Sequence, residues 1–192
     1  EIRGNPVTIV QKTEYPDSEQ VMLEVKTLLP LEFTILFRVP GWCSRFSVTV
    51  GDEKFSGRPG SFMQLRLVWN DGDCLKIDLP AEVRFIRGYA AQQEKFAMMR
   101  GPVVYGIDPS LNKLAAWELD TLAFRLSCPP EKSADGIKQH CVRGSDFFPT
   151  EKDVLFTRFS APEREFVYLP AHDAGYPVSD DEILIRENKQ NK

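Results

Sequence analysis

The sequence predicts an all-β protein: an antiparallel β-sandwich, jelly-roll or immunoglobulin-like, with a β-rich C-terminal extension. Residues 33–39 alternate apolar and polar side chains at period two, as a strand half buried against a core requires. Similar stretches recur at intervals of about ten residues, separated by turns rich in glycine, proline, asparagine and aspartate. Two sheets that each hide one face account for this spacing.

The individual strands follow from the same alternation. Val21, Leu23 and Val25 alternate with more polar neighbours, and Gly51 with Asp52 predicts a hairpin turn. The predicted strands are residues 7–12, 21–26, 33–39, 46–50, 54–55, 63–69, 75–79, 83–85, 96–99, 103–107, 122–126, 137–142, 154–159, 165–169 and 182–185.

Three local features add to this pattern. Residues 63–69 and 75–79 are predicted to pair as a hairpin, because asparagine, aspartate and glycine supply turn chemistry between them. Residues 128–133 contain two adjacent prolines and are predicted to form a loop. Trp69 ends the inward-facing positions of its strand, so we expect it in the core.

Length and charge bound the organisation of the chain. Its 192 residues suit one sizeable domain or two small ones. We expect a β-sandwich domain over residues 1–107 and a β-rich segment over residues 108–192 that packs on the sandwich or completes it. The first carries 13 basic and 13 acidic side chains and the second 11 and 15. Neither offers the basic stripe of a phosphate-binding surface, so nucleic acid is not an expected partner.

The sequence also gives little sign of a membrane or a compartment. No apolar run approaches the roughly 18 residues of a membrane span, so a membrane is not an expected partner. The chain opens at Glu1 without a basic leader or an apolar signal core, and we interpret it as a piece of a longer polypeptide. Residues 186–192 have the composition of a linker or frayed terminus.

The cysteines favour a structural role. Cys43, Cys74, Cys128 and Cys141 are spaced too irregularly for a paired zinc motif. Two disulfides stay possible, but a core of this size does not require them, so free structural thiols are favoured. His140 precedes Cys141 on a predicted strand, where neighbours point to opposite faces and share a metal ion poorly. We expect no metal ion and no cofactor in this chain.

Two tryptophans are the candidates for contact with a ligand. Sugars bind by stacking on flat rings, but an excess of 13 phenylalanines over 3 tryptophans and 5 tyrosines favours core packing. Trp42 follows a turn, where it could close a sheet edge or meet another domain. Trp117 lies in the looser half of the chain and is the better exposed candidate. Trp117 and Trp42 are therefore the predicted ligand contacts.

Several short motifs, in their order along the chain, resemble a known family. They are Thr13, Tyr15 and Pro16; residues 33–43; Trp69, Gly72 and Asp73; Leu79 and Pro80; Arg84; residues 100–105; and Thr157, Arg158, Phe159 and Tyr168. This series resembles the segment that follows the catalytic barrel in bacterial β-L-arabinofuranosidase-like glycoside hydrolases of family 127. The resemblance spans most of the chain and is densest over residues 13–105.

The resemblance implies a multidomain enzyme whose six-hairpin helical barrel holds the active site, with β-sandwich domains packed behind it. In relatives a zinc-bound cysteine is the nucleophile and a glutamate acts as acid and base. Any zinc would thus belong to a catalytic domain outside this chain. Cys128 with Pro129 and Pro130 superficially matches the family's nucleophile motif, but Ser127 replaces its first cysteine, and the segment lies downstream of residues 40–43 instead of upstream. We interpret it as a loop.

No complete catalytic site is predicted in this chain. Glycoside hydrolysis ordinarily needs two carboxyl groups about 5–10 Å apart. Asp71 and Asp73 bracket a turn glycine, where aspartate is favoured because its side chain bonds the turn backbone. The acidic residues 180–182 are interpreted as a solvated approach to the last strand.

The sequence therefore predicts a noncatalytic region that braces the catalytic helical barrel of the same polypeptide. Bracing requires a small apolar patch on the outward face of a sheet, where the barrel would cover it. A carbohydrate-binding module for plant-derived glycans is one alternative, and a protein-interaction domain is another.

Overall fold

The computed structural model describes residues 1–143, 150–160 and 167–172. The chain divides into two compact units, Glu1–Glu82 and Val83–Lys192. Nearly all regular structure in the described ranges is antiparallel strand, which confirms the all-β prediction. No helix in these ranges is long and apolar enough to cross a membrane.

The first unit consists of seven strands in two sheets. They are β1 (Val7–Thr13), β2 (Gln20–Thr27), β3 (Leu31–Arg38), β4 (Ser47–Val50), β5 (Glu53–Ser56), β6 (Phe62–Trp69) and β7 (Cys74–Asp78). Five form one sheet in the order β1-β2-β7-β4-β5, and β3 pairs with β6 in the other. Side chains from both sheets share one hydrophobic core, so this unit is a β-sandwich.

The alternation predicted from the sequence decides which side chains enter this core. On β3, Phe33 and Phe37 are buried, whereas Thr34 and Arg38 are exposed. Trp69 is fully buried, as predicted. The predicted turn at Gly51 also forms, with a φ of +57° that glycine adopts without strain, and it joins β4 to β5.

The predicted hairpin between residues 63–69 and 75–79 is wrong. β6 pairs with β3, whereas β7 pairs with β2 and β4. The turn between them is held by β2 instead: the Thr27 N–H donates to Asp71 Oδ1 at 3.1 Å, and the Gly72 N–H donates to the Val25 carbonyl at 2.9 Å. The same turn residues that would close a hairpin here carry the chain from one sheet to the other.

In the second unit, the described residues form one eight-stranded sheet with a short α-helix. Its elements are β8 (Val83–Arg87), β9 (Lys95–Arg100), β10 (Val103–Gly106), α1 (Ala116–Leu119), β11 (Leu122–Phe124), β12 (Glu131–Ser133), β13 (Gly136–Arg143), β14 (Thr150–Arg158) and β15 (Leu169–Pro170). The main order is β11-β13-β14-β10-β9-β15, with β12 on β13 and β8 on β9. A separate core, which includes Met98, Phe124 and Phe156, is fully buried.

The boundary between the units differs from the expected division at residue 107. Strand β9 pairs with both β8 and β10, and β10 also pairs with β14, so residues 83–106 belong to the sheet of the second unit. Sequence alternation marks strands but not which strands are neighbours, and the boundary depends on the neighbours.

Residues 128–133 and the predicted strands after residue 164 differ from the sequence prediction or lie partly outside the described residues. The predicted loop 128–133 is wrong in its second half, because Lys132 in β12 lies opposite Ile137 on β13. Of the predicted strand 165–169, Leu169 lies in a described strand, β15, and residues 165–166 are outside the described residues. The predicted strand 182–185, the acidic residues 180–182 and the polar end 186–192 also lie outside them.

Candidate functional site

The outward face of the β3–β6 sheet carries three exposed apolar side chains. Leu36, Phe62 and Val68 are 59%, 62% and 57% exposed. Their neighbours along each strand point to the core, since side chains of a strand alternate between faces. We call Leu36, Phe62 and Val68 the outer patch. It is the apolar outward surface that bracing requires.

Charged side chains lie beside and between the members of the outer patch. The Arg38 guanidinium carbon lies 5.9 Å from the centroid of the Phe62 ring. Across the two strands, Arg66 Nη2 donates to Glu32 Oε2 at 2.8 Å, and this hydrogen bond is the main cause that lowers the pKa of Glu32. Exposed ion pairs of this kind add little stability. In the strand register, Arg66 lies between Val68 and the other two members of the outer patch, so this face mixes apolar and charged groups, as interfaces between domains do.

The sequence predicted such a patch without naming its residues. Leu36 stands between Ile35 and Phe37, so in the sequence it looks like part of a continuous apolar run. Its position is nevertheless one that the alternation assigns to the outward face. An apolar residue at an outward position was therefore the signal available for finding the patch.

The two predicted ligand contacts lie in different units. Trp42 is half-buried and packs against the core of the first unit. Trp117 lies on α1 in the second unit and is 66% exposed. The Arg143 guanidinium carbon is 5.9 Å from the centroid of the Trp117 ring, and Arg143 also forms an ion pair with Glu118. The Arg143 guanidinium, itself paired with Glu118, thus contacts the Trp117 ring. Ligand contact stays a prediction for both Trp117 and Trp42.

All four cysteines are free thiols. Burial raises the pKa of Cys141 to about 12 and also raises the pKa of Cys43. Because the thiolate is the nucleophilic form, these two side chains are suited to core packing. Cys128 begins the proline-containing segment that resembles the family motif, and its N–H donates to the Arg125 carbonyl at 3.1 Å in a turn.

The turn carboxylates bind backbone, as predicted. Asp73 Oδ2 accepts a hydrogen bond from the Asn70 N–H at 2.7 Å, while Asp71 accepts from β2 as described above. Both side chains therefore hold a turn of the first unit in place.

His140 and Cys141 point to opposite faces of β13, as predicted, because Cys141 is buried and His140 meets two carboxylates. His140 Nδ1 lies 2.9 Å from Asp153 Oδ1, and Nε2 lies 3.4 Å from Glu151 Oε2. The hydrogen bond with Asp153 is the main cause that raises the pKa of His140 above its ordinary value. The second carboxylate acts in the same direction.

This cluster predicts a pH-dependent stability. The pKa of His140 is higher in the folded state, so its charged form stabilises the fold fully below the ordinary value of 6.5. The stabilisation is lost as pH rises through the folded value. As the pH rises and His140 loses its charge, we expect the free energy of unfolding of the unsubstituted chain to fall by about 0.5–1 kcal/mol, which is the usual contribution of an exposed ion pair.

Urea denaturation at about pH 5.5 and about pH 8.5 measures this difference, since the imidazole changes charge between these values. The His140→Gln variant keeps a polar side chain but cannot titrate, so it should lose this part of the dependence. An identical dependence in both proteins would contradict the assignment.

The geometry thus defines a class: residues 1–82 form a β-sandwich with an apolar outward face, and the described residues that follow form a separate all-β unit. Comparison with known families then shows what this region is similar to. Residues 1–81 match the family model described as "Beta-L-arabinofuranosidase, GH127 middle domain". This match supports the resemblance to glycoside hydrolase family 127 and places it in residues 1–81.

Solved structures agree over a longer span. Ara127N-Se, a GH127 beta-L-arabinofuranosidase from Geobacillus stearothermophilus T6, is 25% identical with a TM-score of 0.73, over 89% of this chain and 31% of that chain. The GH127 beta-arabinofuranosidase BT3674 is 16% identical with a TM-score of 0.71, over 92% and 33%, and shows the fold alone. The chain spans about a third of the length of these relatives. No curated protein matches the sequence.

The zinc that the family resemblance implies has no fitting site in the described part of this chain. Within residues 1–143, 150–160 and 167–172, no three histidine, cysteine, aspartate or glutamate side chains are grouped so that they could hold a metal ion.

Proposed function

We propose that this chain is a noncatalytic region of a β-L-arabinofuranosidase-like enzyme and that it braces the catalytic helical barrel of the same polypeptide. The outer patch is the observation that carries this proposal. Leu36, Phe62 and Val68 expose apolar surface on the side of the β3–β6 sheet that faces away from its core. Leu36 and Phe62 are diagonal neighbours on this face and Val68 lies further along it; exposed apolar surface of this kind marks a place where another body packs.

The length comparison supports the same proposal. The chain spans 31% of Ara127N-Se, so a relative of similar length has about two thirds of its sequence available for other domains. Interfaces between domains of one chain are of moderate size and partly polar. The outer patch, with the Arg66–Glu32 ion pair beside it, fits that composition.

Leu36→Asp tests the proposal in the full-length polypeptide that contains this chain. If the barrel covers Leu36, the new carboxylate is buried without a partner, and the free energy of unfolding should fall by about 2–3 kcal/mol. In the 192-residue chain the same change lies on an exposed face and should shift stability by less than about 0.5 kcal/mol. Urea denaturation of both proteins measures the two effects.

Leu111→Asp is the matched control. Leu111 is 58% exposed, nearly the same as Leu36 at 59%, but it lies in the second unit. The control should have little effect in either protein. Equal small effects of both substitutions in the full-length polypeptide would contradict bracing through the outer patch.

Carbohydrate binding is a second candidate, favoured by the exposure of Trp117 and its contact with Arg143. A fixed cation on one side restricts the indole and would reduce the entropy lost when a sugar stacks on it. Affinity electrophoresis of the chain in gels containing plant arabinan tests this candidate. Retardation that disappears in Trp117→Ala but persists in Trp42→Phe would establish it, and no retardation would exclude arabinan binding.

A further inference from the structure

The two sheets of the first unit do not match in width. Five strands form one sheet and two form the other. Ile9 on β1 is paired with Val25 on β2, so both side chains point to the same face, the one that packs on the core. Val25 is fully buried there, yet Ile9 is 44% exposed. The β3–β6 sheet therefore stops short of β1 and leaves Ile9 uncovered.

The short connections place β3 on the side of this gap. Residues 28–30 join β2 to β3, and residues 70–73 join β6 to β7. Because β2 lies between β1 and β7 in the wide sheet, β3 lies on the β1 side of the narrow one. The pKa of Glu32 is lowered mainly by the hydrogen bond from Arg66, and the charge of Arg3 lowers it further. Arg3 lies four residues before the start of β1, so this influence agrees with the placement.

The outer edge of β3 is unpaired among the described residues, since β3 pairs with β6 alone. At its end, the Val39 N–H donates to the Ser61 carbonyl at 2.9 Å, and the Gly60 N–H donates to the Val39 carbonyl at 3.1 Å. Hydrogen-bonded pairs alternate with non-hydrogen-bonded pairs in an antiparallel ladder. Every second residue of the strand therefore directs its N–H and C=O groups to the same side. Val39 bonds toward β6, and Thr34 and Leu36 are separated from it by an odd number of positions, so their N–H and C=O groups point away from β6.

This free edge has the features of an acceptor for another strand. It presents correctly spaced backbone donors and acceptors, and an uncovered apolar side chain, Ile9, lies beneath the place that a strand would occupy. Proteins normally pair, cover or charge such an edge, because an open one invites aggregation. Thr34 and Leu36, the central residues of this edge, are uncharged.

We propose that an extended segment of the same polypeptide, from outside residues 1–192, adds to the free edge of β3 as the third strand of that sheet. It bonds to the backbone of Thr34 and Leu36, and its apolar side chains, at every second position, cover Ile9. This inference rests on the proposed function, because the segment belongs to the polypeptide that carries the barrel. The solved relatives have the length to supply it, since the match covers only 31–33% of them.

Amide hydrogen exchange of the 192-residue chain and of the full-length polypeptide tests the inference. We expect the amides of Thr34 and Leu36 to exchange at least about 100-fold more slowly in the full-length polypeptide, as paired strand amides do. By the same alternation, the amides of Gln64 and Arg66 point to the other edge of the sheet. They serve as the internal control and should change little.

A matched pair of proline substitutions gives a second readout. Thr34→Pro removes an amide that the β3–β6 ladder does not use, which an edge strand tolerates. It should destabilise the full-length polypeptide by more than it destabilises the 192-residue chain. Gln64→Pro makes the same change on the β6 edge and should affect both proteins equally.

Each other result overturns the inference. Equal exchange of the Thr34 amide in both proteins means that no strand is added. Protection in the chain alone that grows with concentration assigns the edge to a second copy, and protection independent of concentration assigns it to residues 1–192 themselves. If the Thr34 amide exchanges freely while Leu36→Asp still destabilises the full-length polypeptide, bracing stands and strand addition fails.

Discussion

Replacing Trp69 with alanine is expected to lower the free energy of unfolding of the first unit by about 3–5 kcal/mol. Trp69 is fully buried, and its ring centroid lies 5.8 Å from that of Phe33. Its Nε1–H donates to the Phe33 carbonyl at 3.0 Å. The substitution removes a fully buried aromatic ring from the narrow sheet of the sandwich, which has only two strands, so few neighbouring groups can move in to fill the space.

Urea denaturation followed by circular dichroism measures this loss. Trp69→Phe is the control, because it keeps an aromatic ring but removes the indole N–H. It should cost less than the alanine variant, with the lost hydrogen bond contributing about 1 kcal/mol. If Trp69→Ala changed the midpoint no more than Leu111→Ala, an exposed substitution, the assignment of Trp69 to this core would be wrong.

Phe124→Ala is expected to have an effect of the same size, about 3–5 kcal/mol, in the second unit. Phe124 is fully buried, and its ring centroid lies 5.2 Å from that of Phe85 and 5.2 Å from that of Phe156. Aromatic contacts of this geometry add to the gain from area burial. The three rings come from β11, β8 and β14, so one substitution loosens three separated parts of the sheet.

The matched control is Phe124→Leu, which retains most of the apolar volume and should cost roughly half as much or less. Far-ultraviolet circular dichroism in urea measures both variants. A Phe124→Ala protein as stable as the unsubstituted chain would show that the three rings do not pack as described.

Sequence alternation predicted most of the strands because the side-chain period of a strand is fixed by its backbone. It placed Phe33, Phe37 and Trp69 in the core and Thr34 and Arg38 outside. It could not say which strands lie side by side. The turn at residues 70–73 therefore looked like a hairpin, although its hydrogen bonds go to β2.

The parts of the surface that sequence reasoning missed depend on contacts between distant residues. Arg143 reaches Trp117 from 26 residues away in the sequence, and the carboxylates that hold His140 stand on the neighbouring strand β14. β12 was missed because the prolines that open its segment are typical of loops. The outer patch was concealed by Leu36, which reads in sequence as one more core residue between Ile35 and Phe37.

Under the proposed function, the outer patch of this all-β region is covered by another domain of its own polypeptide. Hydroxyl-radical footprinting of the 192-residue chain and of the full-length polypeptide measures that coverage directly. Leu36, Phe62 and Val68 should be oxidised several-fold more slowly in the full-length polypeptide, while Leu111 reacts at the same rate in both. Equal oxidation rates of the outer patch in the two proteins would contradict the claim.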